Sequence, residues 1–121
     1  MKKVGLGLIG LGYIGKNHLR NRQRLESADI VAVSDLSKRA LETAKHAGVR
    51  KTFTDYEKLL KDSSVDAVII ALPTHLHLQS AQRAAEADKH ILLEKPIARN
   101  VVEAKEIISA AARNSVKLMI G

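Results

Sequence analysis

The sequence contains no cysteine. That excludes disulfides, thiolate metal sites and cysteine nucleophiles, and it fits a reducing compartment. A cytoplasmic protein is expected. Tryptophan is absent too, and the aromatic set is Tyr13, Phe53 and Tyr56 alone. Bases of single-stranded nucleic acid need a stacking platform, which these scattered rings do not form. No apolar run is long enough to span a bilayer, and Met1-Lys2-Lys3 leads straight into a strand instead of the apolar core of a signal peptide. Acidic residues are outnumbered: 20 Lys and Arg stand against 13 Asp and Glu, for a net charge of +7. The cations are spread along every helical segment and not gathered in one tract. They read as a solvated surface, or as one balanced by an acidic partner, and nucleic-acid binding is disfavoured. His75 and His77 lack a third ligand nearby, so no metal site is expected. No linker, internal repeat or low-complexity segment interrupts the 121 residues, which is the size of one domain.

What the chain does have is glycine in one place. Val4 to Gly15 reads V-G-L-G-L-I-G-L-G-Y-I-G and holds the spacing G-x-G-x-x-G in two overlapping registers. One uses Gly5, Gly7 and Gly10, the other Gly10, Gly12 and Gly15. A dinucleotide site needs a buried strand, a tight glycine turn, and a helix whose first N–H groups face a pyrophosphate. In the first register the following helix would carry three glycines in its interior, each costing about 1 kcal/mol. The second register gives a buried strand from Val4 to Ile9. Gly10 then makes the turn, Gly12 admits the phosphates, Gly15 lets the helix pack close, and Tyr13 and Ile14 open the helix beside the phosphates. The other half of the fingerprint is an acidic residue about 20 positions on, after the next strand. Ile30 to Val33 is that strand and Asp35 stands past its end.

Strands and helices alternate throughout, which predicts a parallel sheet with crossover helices. The expected helices are Tyr13 to Leu25, Lys38 to His46 capped by Ser37, a short one ending at Leu60 with a capping box from Thr54 to Glu57, Leu76 to Ala87, and Val101 to Arg113 capped by Asn100. The remaining strands are Lys51 to Phe53, Asp66 to Leu72, His90 to Leu93 and Val116 to Ile120. Inner faces are assigned to Ile14, His18 and Leu19 on the first helix, and to Val101, Ala104, Ile107, Ile108 and Ala111 on the last. The fold class is α/β, a doubly wound six-stranded parallel sheet of order 3-2-1-4-5-6 with helices on both faces. Right-handed crossovers put the ligand crevice between the glycine turn and Leu72-Pro73-Thr74. Asp35 favours NAD, since a carboxylate accepts from the ribose 2′-OH. Lys38 and Arg39 follow it, where they either pair with the 2′-phosphate of NADP or simply face solvent; both stay open. Lys95 follows a buried strand at its carboxyl end, between Glu94 and Pro96, where a lysine can act as a cation or proton donor.

With D-A-V-I-I-A-L-P-T-H-L-H from Asp66 to His77 and K-H-I-L-L-E-K-P from Lys89 to Pro96, the whole chain resembles the nucleotide-binding half of the Gfo/Idh/MocA oxidoreductases. The resemblance implies hydride transfer between NAD or NADP and a sugar, polyol or related hydroxyl or keto substrate. It implies that Lys95 is catalytic, that Glu94 lies by the nicotinamide ribose, that the Lys95–Pro96 peptide is cis, and that Pro73, Thr74 and His77 line the cofactor's path. It also implies an α+β substrate domain beyond the sixth strand. The expectation is therefore an excised or truncated domain, catalytically incomplete, that binds cofactor. A stand-alone nucleotide-binding module, engineered or excised, is the alternative, and a homo-oligomer formed through an uncovered face or the edge of the sixth strand is compatible with either. Asn17, Arg22, Ser80, Gln82 and Arg83 stand where the family is more apolar, and Asp88 where it ends a helix with glycine. These polar positions are expected to be exposed.

Overall fold

The computed structural model describes residues 3–121, so the expected lead-in at Met1 and Lys2 lies outside the described residues. The six strands are β1 (Val4–Ile9), β2 (Ala28–Ser34), β3 (Lys51–Phe53), β4 (Ala67–Ile70), β5 (His90–Leu93) and β6 (Leu118–Ile120). They form one sheet of order β3-β2-β1-β4-β5-β6, parallel at every pairing. The helices are α1 (Tyr13–Arg20), α2 (Lys38–His46), α3 (Tyr56–Leu60), α4 (His77–Glu86) and α5 (Val101–Arg113).

The pairing register decides where the site can be. Ile9 pairs with Ser34 on one side and Ile70 on the other, and Ile70 pairs with Leu93. Gly10, Asp35, Ala71 and Glu94 therefore leave the sheet in a row at its carboxyl end. Strands β1 and β4 are apolar because most of their side chains are buried. Leu8, Ile30, Val33, Leu41 and Ala44 pack on the α1–α2 side, and Ile9, Leu59, Ile70, Ala84 and Ile107 on the other. Each fully buried Leu or Ile contributes roughly 1.5–3 kcal/mol. On the α1–α2 side the second half of the sheet carries no helix, leaving an apolar groove of about 560 Å³ that includes Leu6, Ile69, Leu92 and Met119.

Several expectations shift by local chemistry. The first helix ends at Arg20, and Arg22–Arg24 form a 3₁₀ turn. A 3₁₀ turn at Thr74–Leu76 likewise precedes α4. The cap of α3 is Asp55, whose carboxylate accepts from Glu57 N at 2.9 Å, and not Thr54. Ser37 and Asn100 cap as expected. On α5 the buried residues are Ile107, Ala110 and Ala111, whereas Val101 and Ile108 are exposed. The inner stripe turns toward the alanines because α4 offers Ala81, Ala84 and Ala85, which need a close-packed partner. Ile14 is exposed, because Gly15 and not Ile14 faces the sheet.

The polar residues expected on the surface divide. Arg22 is only 14% exposed and pairs with Asp29 through Nε and Nη2 at 3.0–3.2 Å, while Nη1 donates to Ala47 O. A carboxylate seven residues on makes the inward arginine tolerable. Ser80 is buried, its hydroxyl donating to Leu76 O at 2.8 Å. Gln82 is half-buried, and Arg83 is exposed against Glu57. Asp88 adopts φ 61, which is the conformation a glycine would take there.

Candidate functional site

The glycine turn is fixed by what surrounds it. Gly10 has φ +100, and a Cβ on it would stand 2.5 Å from Ala71 O. A Cβ on Gly15 would collide with the carbonyl oxygen of Gly10. Neither position admits another residue without moving backbone. Gly12 differs, because a Cβ there meets nothing within 4 Å. Gly12 is the N-cap of α1, with no side-chain cap and no acidic residue in the first turn. The space over Gly12 is thus open, beside the partial positive charge of the start of α1.

Asp35 organises this turn from the next strand. Its Oδ2 accepts from Leu11 N at 2.7 Å and its Oδ1 from Ser37 N at 2.8 Å. Each oxygen keeps a further lone pair, so the carboxylate ties the turn to the start of α2 and can still accept from a ligand hydroxyl. Lys38 and Arg39 are exposed and form no ion pair among the described residues.

Beside Asp35 lies a cavity of about 310 Å³, lined by Leu36, Tyr56, Leu72, Pro73 and Leu76. Its walls are mostly apolar, and its size suits a flat heterocycle between side chains. Burial, and then the Glu57 carboxylate, hold the Tyr56 phenol above its ordinary pKa, so it is a neutral hydroxyl at physiological pH. Leu36, Tyr56 and Leu76 were not singled out as site residues. Their signal was position: Leu36 and Leu76 are apolar and exposed, the first right after Asp35 and the second just after Pro73.

The other side of the crevice is the segment leaving β5. The Lys95–Pro96 peptide is cis, as the resemblance implied. Lys95 N donates to Gly121 O at 3.1 Å, which joins this segment to the residue after β6. The Lys95 side chain is exposed and forms no ion pair among the described residues. Glu94 pairs instead with His18, Oε1 to Nε2 at 3.3 Å. His18, assigned to the inner face of α1 as a core histidine close to the cofactor turn, keeps that neighbourhood but is not fully packed, since its side chain is 29% exposed beside Glu94.

His77 moves the other way. It was expected to line the cofactor's path, but it is 1% exposed and its ring is held between Leu72 O and Ile97 O. It supports the crevice from behind. Tyr13 is 79% exposed at the start of α1 beside Ile14, and Thr74 is half-buried at the rim. No group of three or more metal-ligating side chains occurs among the described residues, and no described helix is long and apolar enough to cross a membrane.

Residues 4–121 match a family described as an oxidoreductase family with an NAD-binding Rossmann fold, GFO_IDH_MocA. The chain is 36% identical over 121 residues to an uncharacterized oxidoreductase, YrbE, of Bacillus subtilis, covering 99% of this chain and 36% of that protein. It is 33% identical to the myo-inositol 2-dehydrogenase of Thermotoga maritima, covering 96% and 35%. Among solved structures, scyllo-inositol dehydrogenase from Lactobacillus casei, with bound NAD(H) and scyllo-inositol, superposes with a TM-score of 0.93 at 30% identity, covering 99% and 36%. The chain thus spans little more than a third of the length of these relatives.

Proposed function

Because this chain belongs to the Gfo/Idh/MocA oxidoreductases as an NAD-binding Rossmann domain, we propose that it holds NAD(H) along one line from the apolar cavity to Lys95 and serves dehydrogenation of a sugar, polyol or related alcohol. The observation that carries this is the glycine turn: Gly10 and Gly15 are filled by neighbouring backbone, whereas open space faces Gly12 and the uncapped start of α1. Backbone N–H groups there suit a pyrophosphate. The cavity suits the adenine, and the free lone pairs of Asp35 suit the ribose hydroxyls.

When bound, the nicotinamide supplies or accepts hydride. The chain's own residues then have separable tasks. Glu94, oriented by His18, accepts from the nicotinamide ribose. Lys95, exposed and free of an ion pair, donates from Nζ to the reacting oxygen and stabilises negative charge there. No acidic or basic side chain bonds to Lys95 Nζ among the described residues, so cofactor binding with little or no turnover is the expected behaviour of this chain by itself. A substrate domain of the kind the resemblance implies would supply further contacts to the reacting group. Lys38 and Arg39 leave room for NADP through its 2′-phosphate. Self-association through the bare groove or along the exposed β6 edge belongs to the same proposal. A monomer by light scattering at high concentration would count against it. The cysteine-free sequence fits a cytoplasmic setting.

The test is calorimetric titration with NADH and NADPH, repeated on Asp35→Ala. The expected result is NADH binding that weakens at least about tenfold in the variant, with NADPH less affected. Equal NADH affinity in both proteins would overturn the assignment of Asp35. Salt-steep DNA binding indifferent to NADH would favour the basic surface instead.

A further inference from the structure

We propose that His77 is a positioning residue that ties the two walls of the crevice together, and that both ties hold only while both ring nitrogens carry protons. The reading rests on the proposed cofactor site, which these walls enclose. His77 begins α4 and is almost completely buried. Its Nε2 lies 3.0 Å from Leu72 O and its Nδ1 3.2 Å from Ile97 O. Leu72 belongs to the cavity wall next to Pro73. Ile97 follows the Lys95–Pro96 pair. One imidazole thus connects the segment that leaves β4 with the segment that leaves β5.

Both partners are backbone carbonyls, which can only accept. A neutral imidazole has a single N–H, so it can bond one carbonyl while its other nitrogen turns a lone pair on the second. The imidazolium donates to both. Among the described residues no carboxylate bonds to the ring, so its direct partners are these two carbonyls.

The charged and titratable groups on the elements packed around it are otherwise engaged or exposed. On α4, Arg83 pairs with Glu57, whose α3 neighbour Tyr56 is neutral at physiological pH. From β5 and α5, Glu94 pairs with His18 and Arg99 with Glu103. Lys95, His75 and Glu106 face solvent. Loss of one ring proton frees either Leu72 O or Ile97 O, and the spacing between cavity and Lys95 segment loosens. Cofactor affinity is therefore highest in the form that donates to both carbonyls.

The experiment uses the 15N-labelled 121-residue chain. Ring 15N–1H correlations and backbone amide spectra are recorded from about pH 5 to about pH 8.5, the span in which histidines change charge. NADH calorimetry is run over the same range on the wild type and His77→Gln. The expected result is an imidazolium signature at the acid end. On raising the pH, one ring proton is lost, and amides of residues 74–76 and 97–99 shift with the same midpoint. NADH binding weakens roughly three- to tenfold over that step, and His77→Gln, whose amide reaches only one carbonyl, lies near the weaker limit with that step gone. A singly protonated ring at every pH with unshifted amides overturns the proposal, as does a His77→Gln profile that keeps the wild-type step. If His77→Gln does not fold, the wild-type ring and amide signals decide. If NADH binds at no pH, the cofactor reading fails, and the same ligand-free signals still decide whether the tie exists.

Discussion

Gly12→Ala separates binding from folding more cleanly than any other change in the turn. The backbone at Gly12 has φ −72, which alanine adopts freely, and its Cβ would meet nothing within 4 Å. Two small terms act on stability. Alanine is a poorer N-cap than glycine, by up to about 1 kcal/mol. It also restricts the unfolded chain, which returns about 0.4–1 kcal/mol. The net change is close to zero, and the thermal midpoint should move by no more than a few degrees, on the scale of roughly 3–6 °C per kcal/mol for a domain of this size. Binding behaves otherwise. A methyl group in the open space over the start of α1 displaces a pyrophosphate from the backbone N–H groups. Each hydrogen bond to a charged group contributes about 1.5–3 kcal/mol, so losing one weakens NADH roughly 10- to 150-fold. Gly15→Ala is the contrast, since its Cβ would collide with Gly10 O, and it should lose stability and binding together. Circular-dichroism melts and NADH calorimetry on the three proteins are the assay. Wild-type affinity in a well-folded Gly12→Ala would refute the path of the phosphates over this turn.

Three further outcomes follow from the packing. Asp29→Ala leaves the largely buried Arg22 guanidinium with only Ala47 O, and urea unfolding should show a loss of about 1–2 kcal/mol, less than for a fully buried pair because Asp29 is partly solvated. The Ser64 hydroxyl first, and then Lys51, lower the Asp62 pKa from 3.8 to about 2. Its folded value is below its unfolded one, so its contribution is present above about pH 4 and is lost as pH falls through about 2. After screening this amounts to roughly 1 kcal/mol. Urea midpoints at pH 5 and near pH 2 should therefore fall less for Asp62→Asn than for the wild type, and an equal fall would count against the bond network. Asp88→Gly relieves a positive φ and should raise stability by roughly 0.5 kcal/mol, the conformational relief exceeding the entropy added to the unfolded chain. An unchanged or lower thermal midpoint would mean that Asp88 is not strained.

The sheet order was legible because the parallel strands, apart from the edge strand β3, are short apolar runs between helix-period segments, and Ser37 and Asn100 announce their helices by chemistry local to a few residues. The choice between the two glycine registers was legible for the same reason, yet the physical use of the rejected glycines was not. A Cβ on Gly7 would stand 2.6 Å from Leu59 Cδ2, a contact between residues far apart in the chain. Arg22 failed for a related reason. Its helical position pointed inward, but the carboxylate that makes this tolerable comes from β2, and no pattern within one element reveals it. His18 and His77 exchanged roles because their environments are set by the β4 and β5 exits. Neither histidine differs in sequence from an ordinary helix residue, and only the strand register brings Glu94 to one and Ile97 O to the other.

That register also divides the site into two differently held parts. The proposed adenosine side is fixed by close backbone packing of Gly10 on Ala71 and by one carboxylate, Asp35, that accepts from the backbone N–H groups of Leu11 and Ser37. The Lys95 side is held by two histidine side chains, His18 on Glu94 and His77 on Ile97 O, and by backbone bonds from Glu94 N to Ile70 O and from Lys95 N to Gly121 O. On the proposed reading, most cofactor affinity should reside at the close-packed glycine turn, and the geometry of the reacting group at the end that two histidines help to hold. A dinucleotide can then be retained at one end while the other adjusts to the substrate.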